Sequence, residues 1–387
     1  MKPRSKPDED EADFFPCPPR KNWSVGLIKF ISFLVIFMAG VVLGLSASGR
    51  FTRSFNTQTE IFFPSAMYMA NCDKEFLSFK SFVTPQHLMH SMTDEELFWR
   101  ASMVPKMEEY PFQRVPKVAF MFMTRGPLPF VQLWDRFFKG HEGLYSVYVH
   151  TLPDYKLNVS ESSAFYGRQI PSEEVSWGSV TLVDAEKRLL ANALLDFSNE
   201  RFVLLSESCI PVYGFSTVYD YLIYSAHSFV ESYDENSQQG RGRYNRRMAP
   251  TIKLYHWRKG SQWFELNREL AAYIVADYQY YLVFRKYCKP SCYPDEHYMP
   301  TYLNMFHGSL NSNRTVTWVD WSRGGPHPAT YGAPSITPEF IKSIRTNGTT
   351  TCSYNSKPTS ICFLFARKFA PNALGPLLNL SSSVMGF

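Results

Sequence analysis

Residues 118–124 read Val-Ala-Phe-Met-Phe-Met-Thr, six apolar side chains before the first hydroxyl. Side chains of a strand alternate between two faces, so this run suits a strand only where both faces are covered. LYSVYVHT (144–151), SVTLVD (179–184) and RFVLLSES (201–208) share that character. Between the last two, Ala185, Leu189, Ala193 and Phe197 recur every four residues, the spacing of one helix face, with Asp184 as its cap. Residues 215–222 and 262–275 read as further helices and 315–321 as a late strand. Thr93 and Glu96 form a capping-box pattern, and Thr337-Pro338-Glu339 opens another short helix. Strands alternating with helices predict an α/β fold with a largely parallel sheet. Such sheets take ligands at the carboxyl ends of their strands. That marks Thr124-Arg125, His150-Thr151 and Ser206-Glu207-Ser208 as lining a cleft.

A second feature divides the chain. Phe30–Gly49 is twenty residues without a charge, enough for one bilayer crossing. Trp23–Leu27 extends it, so the anchor is expected over 23–49. A cleaved signal peptide is the alternative, with Ala47 and Gly49 as a mimic of its cleavage site, but its apolar region is normally shorter and nearer the N-terminus. Lys2, Arg4, Lys6, Arg20, Lys21 and Lys29 precede the run, against Arg50 and Arg53 just after it. That asymmetry predicts a cytosolic tail (1–22) and a lumenal remainder. Residues 50–115 read as a stem and lead-in, and 116–387 as the main domain. Asn158, Asn313, Asn347 and Asn379 each begin an N-glycosylation sequon. Cys72, Cys209, Cys288, Cys292, Cys352 and Cys362 all follow the anchor, an even number suited to disulfides in an oxidising lumen. Cys288 and Cys292 resemble half a zinc site, but no second pair follows, so a disulfide or free thiols fit better. Cys209 reads as a packed or bonded residue.

Composition excludes some classes. With 45% hydrophobic and 16% aromatic residues, most of the chain is not disordered. A net charge of +5, from 40 basic and 35 acidic residues, is too mild and mixed for a nucleic-acid binder. There is no G-x-S-x-G elbow, Walker A loop or H-E-x-x-H pair, and Gly240-Arg241-Gly242 is a lone G-x-G. The only Asp-x-Asp is Asp8-Glu9-Asp10, in the cytosolic tail. A sugar transferase that held its diphosphate through a metal would place such a pair in the lumen.

The most informative segment is Cys288-Lys-Pro-Ser-Cys-Tyr-Pro-Asp-Glu-His297. Together with KVAFMFMTRGPLP, RFVLLSESCIPV, HSFVES, GSQWFELNREL and CFLFARKF, in that order, it resembles the core-2/I-branching β-1,6-N-acetylglucosaminyltransferases (glycosyltransferase family 14), and their plant branch above all. The resemblance covers roughly residues 115–375. It implies a GT-A-like, Rossmann-like domain, type II Golgi topology, inversion at the anomeric carbon and no metal or other cofactor. The partners it implies are a UDP-sugar and a glycan or glycoprotein acceptor, with no oligomeric state fixed.

An inverting transfer is one displacement, so the attacking hydroxyl needs a carboxylate base. The resemblance assigns that role to Glu296. Two cations stabilise the departing diphosphate in place of a metal. Arg345 and Lys368 match the family pair in their spacing. Glu231, Arg243 with Arg246-Arg247, and Trp321 match acceptor contacts. Thr124, Arg125 and His150 are expected at the nucleoside, although family members from animals carry Asp where His150 stands. UDP-xylose or UDP-glucuronic acid with a wall or arabinogalactan acceptor, or a non-catalytic glycan binder, are the competing readings.

Overall fold

In this computed structural model, the described residues are 29–43, 83–85, 87–104, 110, 112–289, 292–346 and 351–387. The strands, in chain order, are β1 (Lys117–Met123), β2 (Tyr145–His150), β3 (Asn199–Ser206), β4 (Ile210–Pro211), β5 (Glu265–Asn267), β6 (Thr317–Val319), β7 (Cys352–Tyr354), β8 (Lys357–Thr359) and β9 (Phe365–Arg367). The α-helices of the main domain are α1 (Asp94–Ser102), α2 (Val131–Phe138), α3 (Val180–Leu194), α4 (Phe215–Ile223), α5 (Arg268–Ala276), α6 (Gln279–Tyr287), α7 (Pro294–Phe306), α8 (Pro338–Ile344) and α9 (Leu374–Leu380).

The side chains of β1 part by alternation. Ala119 and Met121 enter one apolar cluster, and Val118, Phe120 and Phe122 enter the other. β3 divides the same way, Phe202 and Leu204 against Val203 and Leu205. The sheet order is β2-β1-β3-β5, with β1 parallel to both neighbours and β5 antiparallel to β3. Residues of α3, α5, α6 and α7 fill one cluster, and residues of α2, α4, α8 and α9 the other. The result is a three-layer α/β sandwich. A second sheet, β4-β9-β6, continues it, with β6 parallel to β9 and β4 antiparallel.

Two expectations are corrected. SVTLVD is the first part of α3, not a strand: Ser179, not Asp184, caps the helix, accepting from the Thr181 amide. Leu182–Leu194 are all buried, because α3 packs against α1, α5, α7 and the sheet together. A helix covered on every side loses its amphipathic stripe, so its β-branched opening read as a strand. The helix expected over 262–275 begins as β5, and Asn267 then caps α5 by accepting from the Leu270 amide. The late strand is shorter than expected, Thr317–Val319. The Thr93 capping box and the Thr337 cap are both present.

Cys288–Cys292 and Cys352–Cys362 are disulfides, and Cys209 is a buried free thiol. Residues 1–76 and 77–387 form distinct units. In the first, 29–43 are helical and exposed, and no described helix is long and apolar enough to cross a membrane. The remainder of the anchor expected over 23–49 lies outside the described residues, as do the 1–22 tail and Cys72.

Candidate active site

The site is assembled around five consecutive residues, Lys259–Trp263, which lead into β5. Lys259 pairs with Tyr233 in an antiparallel bridge and with the Glu235 carboxylate at 3.3 Å. Gly260 donates its amide to the Glu296 carbonyl at 2.9 Å. A Cβ at Gly260 would collide with the Glu231 carbonyl oxygen, so only glycine fits this approach. The Ser261 backbone hydrogen-bonds the Glu231 carboxylate. Gln262 donates to buried Glu186 at 3.0 Å. The Trp263 ring lies 4.0 Å from the Arg367 guanidinium. One short segment therefore touches three carboxylates (Glu186, Glu231 and Glu235), the Glu296 backbone and the Arg367 cation, from four separate parts of the chain.

Glu296 owes its place to the local sequence. The Cys288–Cys292 disulfide closes the connection after α6, and Tyr293 then takes the left-handed conformation at φ 52°. Pro294 starts α7 at the position where its missing N–H costs nothing. Asp295 and Glu296 fill the first turn, where the helix dipole favours negative charge. Arg243 donates to Glu296 Oε2 at 2.5 Å and lies 4.1 Å from the Tyr293 ring centroid. Trp177 packs on Tyr293 at 5.2 Å and is 54% exposed. Burial raises the Glu231 carboxyl above its ordinary value, against hydrogen bonding from Ser261 and the charge of Lys259. Asp295 is pushed up to about 7 by burial and by the Glu296 charge, and its Oδ1 is buried without a partner.

The cations expected at the diphosphate separate. Lys368 follows β9 at its carboxyl end, where its carbonyl accepts from Tyr331 and the next amide donates to Ser208. Arg345 lies elsewhere. Its guanidinium donates to the carbonyls of Val212 and Val384 and rests 4.1 Å from the Tyr213 ring. Val212 pairs with Leu364, four residues before Lys368 along an extended segment. At about 3.3 Å per residue, that is roughly 13 Å from Lys368. Arg345 ties α8 to the segment before α4 and to the C-terminal residues, and no hydrogen bond or ion pair among the described residues joins it to Lys368. The cation beside Lys368 is Arg367. Its Nε is buried with no partner, and burial pulls its guanidinium below the ordinary value.

His150, expected at the nucleoside, closes β2. It is 1% exposed, and its ring accepts from the Glu173 amide at 3.4 Å. Burial and the Arg188 charge lower it to about 3, so it is neutral. Leu152, Pro153, Asp154, Tyr155 and Glu174 instead line an open groove of about 450 Å³ just beyond β2. Thr124 is buried and exchanges hydrogen bonds with Gly126, holding the turn after β1, while Arg125 is exposed there. Trp321, two residues past β6, is 51% exposed. Asn158, Asn313 and Asn379 are exposed, and Asn347 lies outside the described residues.

Sequence reasoning passed over Arg367, Lys259, Trp177 and Asp295. Arg367 was legible as the neighbour of Lys368 at a strand end. The others depend on contacts across the fold that no spacing reveals.

The profile of the Core-2/I-branching enzyme family matches residues 118–345, more than half of the chain. The chain belongs to this family. It is similar to Glycosyltransferase BC10 of Oryza sativa subsp. japonica, 39% identical over 310 residues, which cover 68% of this chain and 76% of the relative. The protein is a glycosyltransferase, and the family implies a nucleotide-sugar donor and a glycan acceptor.

Proposed function

We propose that this glycosyltransferase moves a sugar, N-acetylglucosamine by family resemblance, from its UDP derivative to a glycan or glycoprotein hydroxyl, with inversion and without a metal. Glu296 removes the hydroxyl proton as the new glycosidic bond forms and the bond to the diphosphate breaks. Lys368 and Arg367 stabilise the charge gathering on the departing UDP. Glu231, Arg243 and exposed Trp321 bind the acceptor. Arg125 and the groove beyond β2 receive the nucleoside. The observation that carries this reading is the Lys259–Trp263 segment, which contacts Glu296 at one end and Arg367 at the other.

The chain resides in the Golgi membrane as a single-pass type II protein. The cationic excess before residue 30, the sequons and the two disulfides support that placement.

The test is donor turnover by the full chain in detergent, over UDP-N-acetylglucosamine, UDP-xylose and UDP-glucuronic acid, with and without EDTA. Glu296→Gln is expected to lose about 10²–10⁴-fold in kcat while still binding UDP. Full activity in that variant removes Glu296 as the base. Loss of parent activity in EDTA removes the metal-free mechanism. Preference for a different donor replaces N-acetylglucosamine.

A further inference from the structure

Residues 241–259 carry seven cations in a chain whose formal excess is only +5. Three are paired with acids: Arg241 with Asp234, Arg243 with Glu296 and Lys259 with Glu235. Arg258 donates to the carbonyls of Tyr255 and Trp257. Arg246, Arg247 and Lys253 are exposed and have no acidic partner among the described residues.

The loop bearing them is pinned. Met248 and Ile252 are buried, and the Ile252 amide donates to the Met248 carbonyl at 2.9 Å. The Tyr244 hydroxyl donates to the Ile252 carbonyl at 2.7 Å. These bonds draw residues 244, 248 and 252 into one knot, so Arg243, Arg247 and Lys253, each next to a member, are gathered around it. A second segment joins this surface, because Asn245 donates to the Tyr287 carbonyl at 2.8 Å. Lys286 and Lys289, on either side of Tyr287, are exposed and also without an acidic partner among the described residues. Tyrosine rings accompany the cations: Lys253 lies 5.8 Å from Tyr255, which is 66% exposed, and Lys286 lies 5.1 Å from Tyr287.

We propose that Arg246, Arg247, Lys253, Lys286 and Lys289 form a docking surface for an acidic glycan, a saccharide chain bearing carboxylates, whose hydroxyl is led to Glu296. The inference rests on the glycosyltransferase reading of the Glu296 site. Continuity with Arg243, which touches Glu296, favours an acceptor over a partner unrelated to transfer. Cations interleaved with tyrosine faces suit a ligand with both charge and sugar faces. Fixed backbone lets several weak exposed contacts act together with little ordering cost.

The full chain in detergent is titrated with an oligogalacturonide and with the same oligosaccharide after carboxyl reduction. The charged form is expected to bind more tightly, and to weaken as salt rises from roughly 50 to 500 mM. Arg246→Gln/Arg247→Gln/Lys253→Gln and, separately, Lys286→Gln/Lys289→Gln are each expected to weaken the charged form roughly tenfold or more. The unfolding midpoints of both variants should match the parent, as should donor hydrolysis by Lys286→Gln/Lys289→Gln. Equal binding of the two oligosaccharides, or unaltered affinity in both variants, overturns the proposal. So does binding of phosphatidylserine vesicles or a polyglutamate peptide that the variants abolish while the oligogalacturonide is ignored. Parent protein that binds the charged oligosaccharide but turns over no donor disproves the transferase reading and leaves the surface standing.

Discussion

The Gly260 amide donates to the Glu296 carbonyl at 2.9 Å, and Gly260 also lies against the Glu231 carbonyl, closer than any side chain would allow. One glycine thus fixes the spacing between the first turn of α7 and the Glu231 backbone.

Gly260→Ala must therefore push these elements apart. A displacement of about 1 Å costs roughly 10²-fold in rate where reacting groups are prealigned. The expected result is a fall in kcat of that order with a smaller change in donor KM, measured by steady-state kinetics. Unaltered kcat would separate the spacing from the chemistry.

Arg367 and Arg345 should behave oppositely. Arg367→Gln removes a half-buried cation beside Lys368 and is expected to cost about 10²-fold in kcat/KM for the donor. Arg345→Gln strips the Val212 and Val384 carbonyls of their donor and is expected to cost about 1–3 kcal/mol of stability, with donor KM unchanged. Donor kinetics and urea unfolding on both variants decide it. A raised donor KM in Arg345→Gln would return that residue to the diphosphate.

Asp295 gives a pH signature of known sign. Its folded value, about 7, lies above the ordinary 3.8, so the folded state holds the proton more tightly than the unfolded state. Its contribution is fully present below about pH 4 and is lost as pH rises through about 7. Asp295→Asn should accordingly be more stable relative to the parent at pH 8 than at pH 5. Denaturant unfolding at both values checks this, and an equal difference at the two would refute it.

The Cys288–Cys292 bond holds the approach to Tyr293 and α7. Replacing both cysteines with serine should cost about 2 kcal/mol and lower kcat, because the Glu296 turn loses its fixed entry. Urea unfolding and steady-state kinetics on the double variant check both, and an unaltered kcat would show that the turn keeps its place without the bond.

Much of the fold was legible because its signals are local. The apolar runs of β1, β2 and β3 demanded two-sided burial, and Thr93 and Thr337 announced their helices. α3 was misread at its start because burial on all sides erased the stripe that marks a helix. Residues 265–267 were misread because their pairing with β3 is set by tertiary contact. At the site, Glu296 and Lys368 stood within recognisable segments. Arg345 matched by spacing alone, and spacing does not record the connection through β7 and β8 that carries the chain to the other end of β9.

The five-residue bridge has a consequence for how such enzymes diversify. It reaches Glu296, Glu231 and Arg367 largely through backbone and buried contacts, whereas Trp321 and the 246–253 loop stand outside it. Under the proposed roles, acceptor preference drifts through surface substitutions while the reacting geometry is inherited intact. Loop grafts between relatives should alter which glycan is extended sooner than whether transfer occurs.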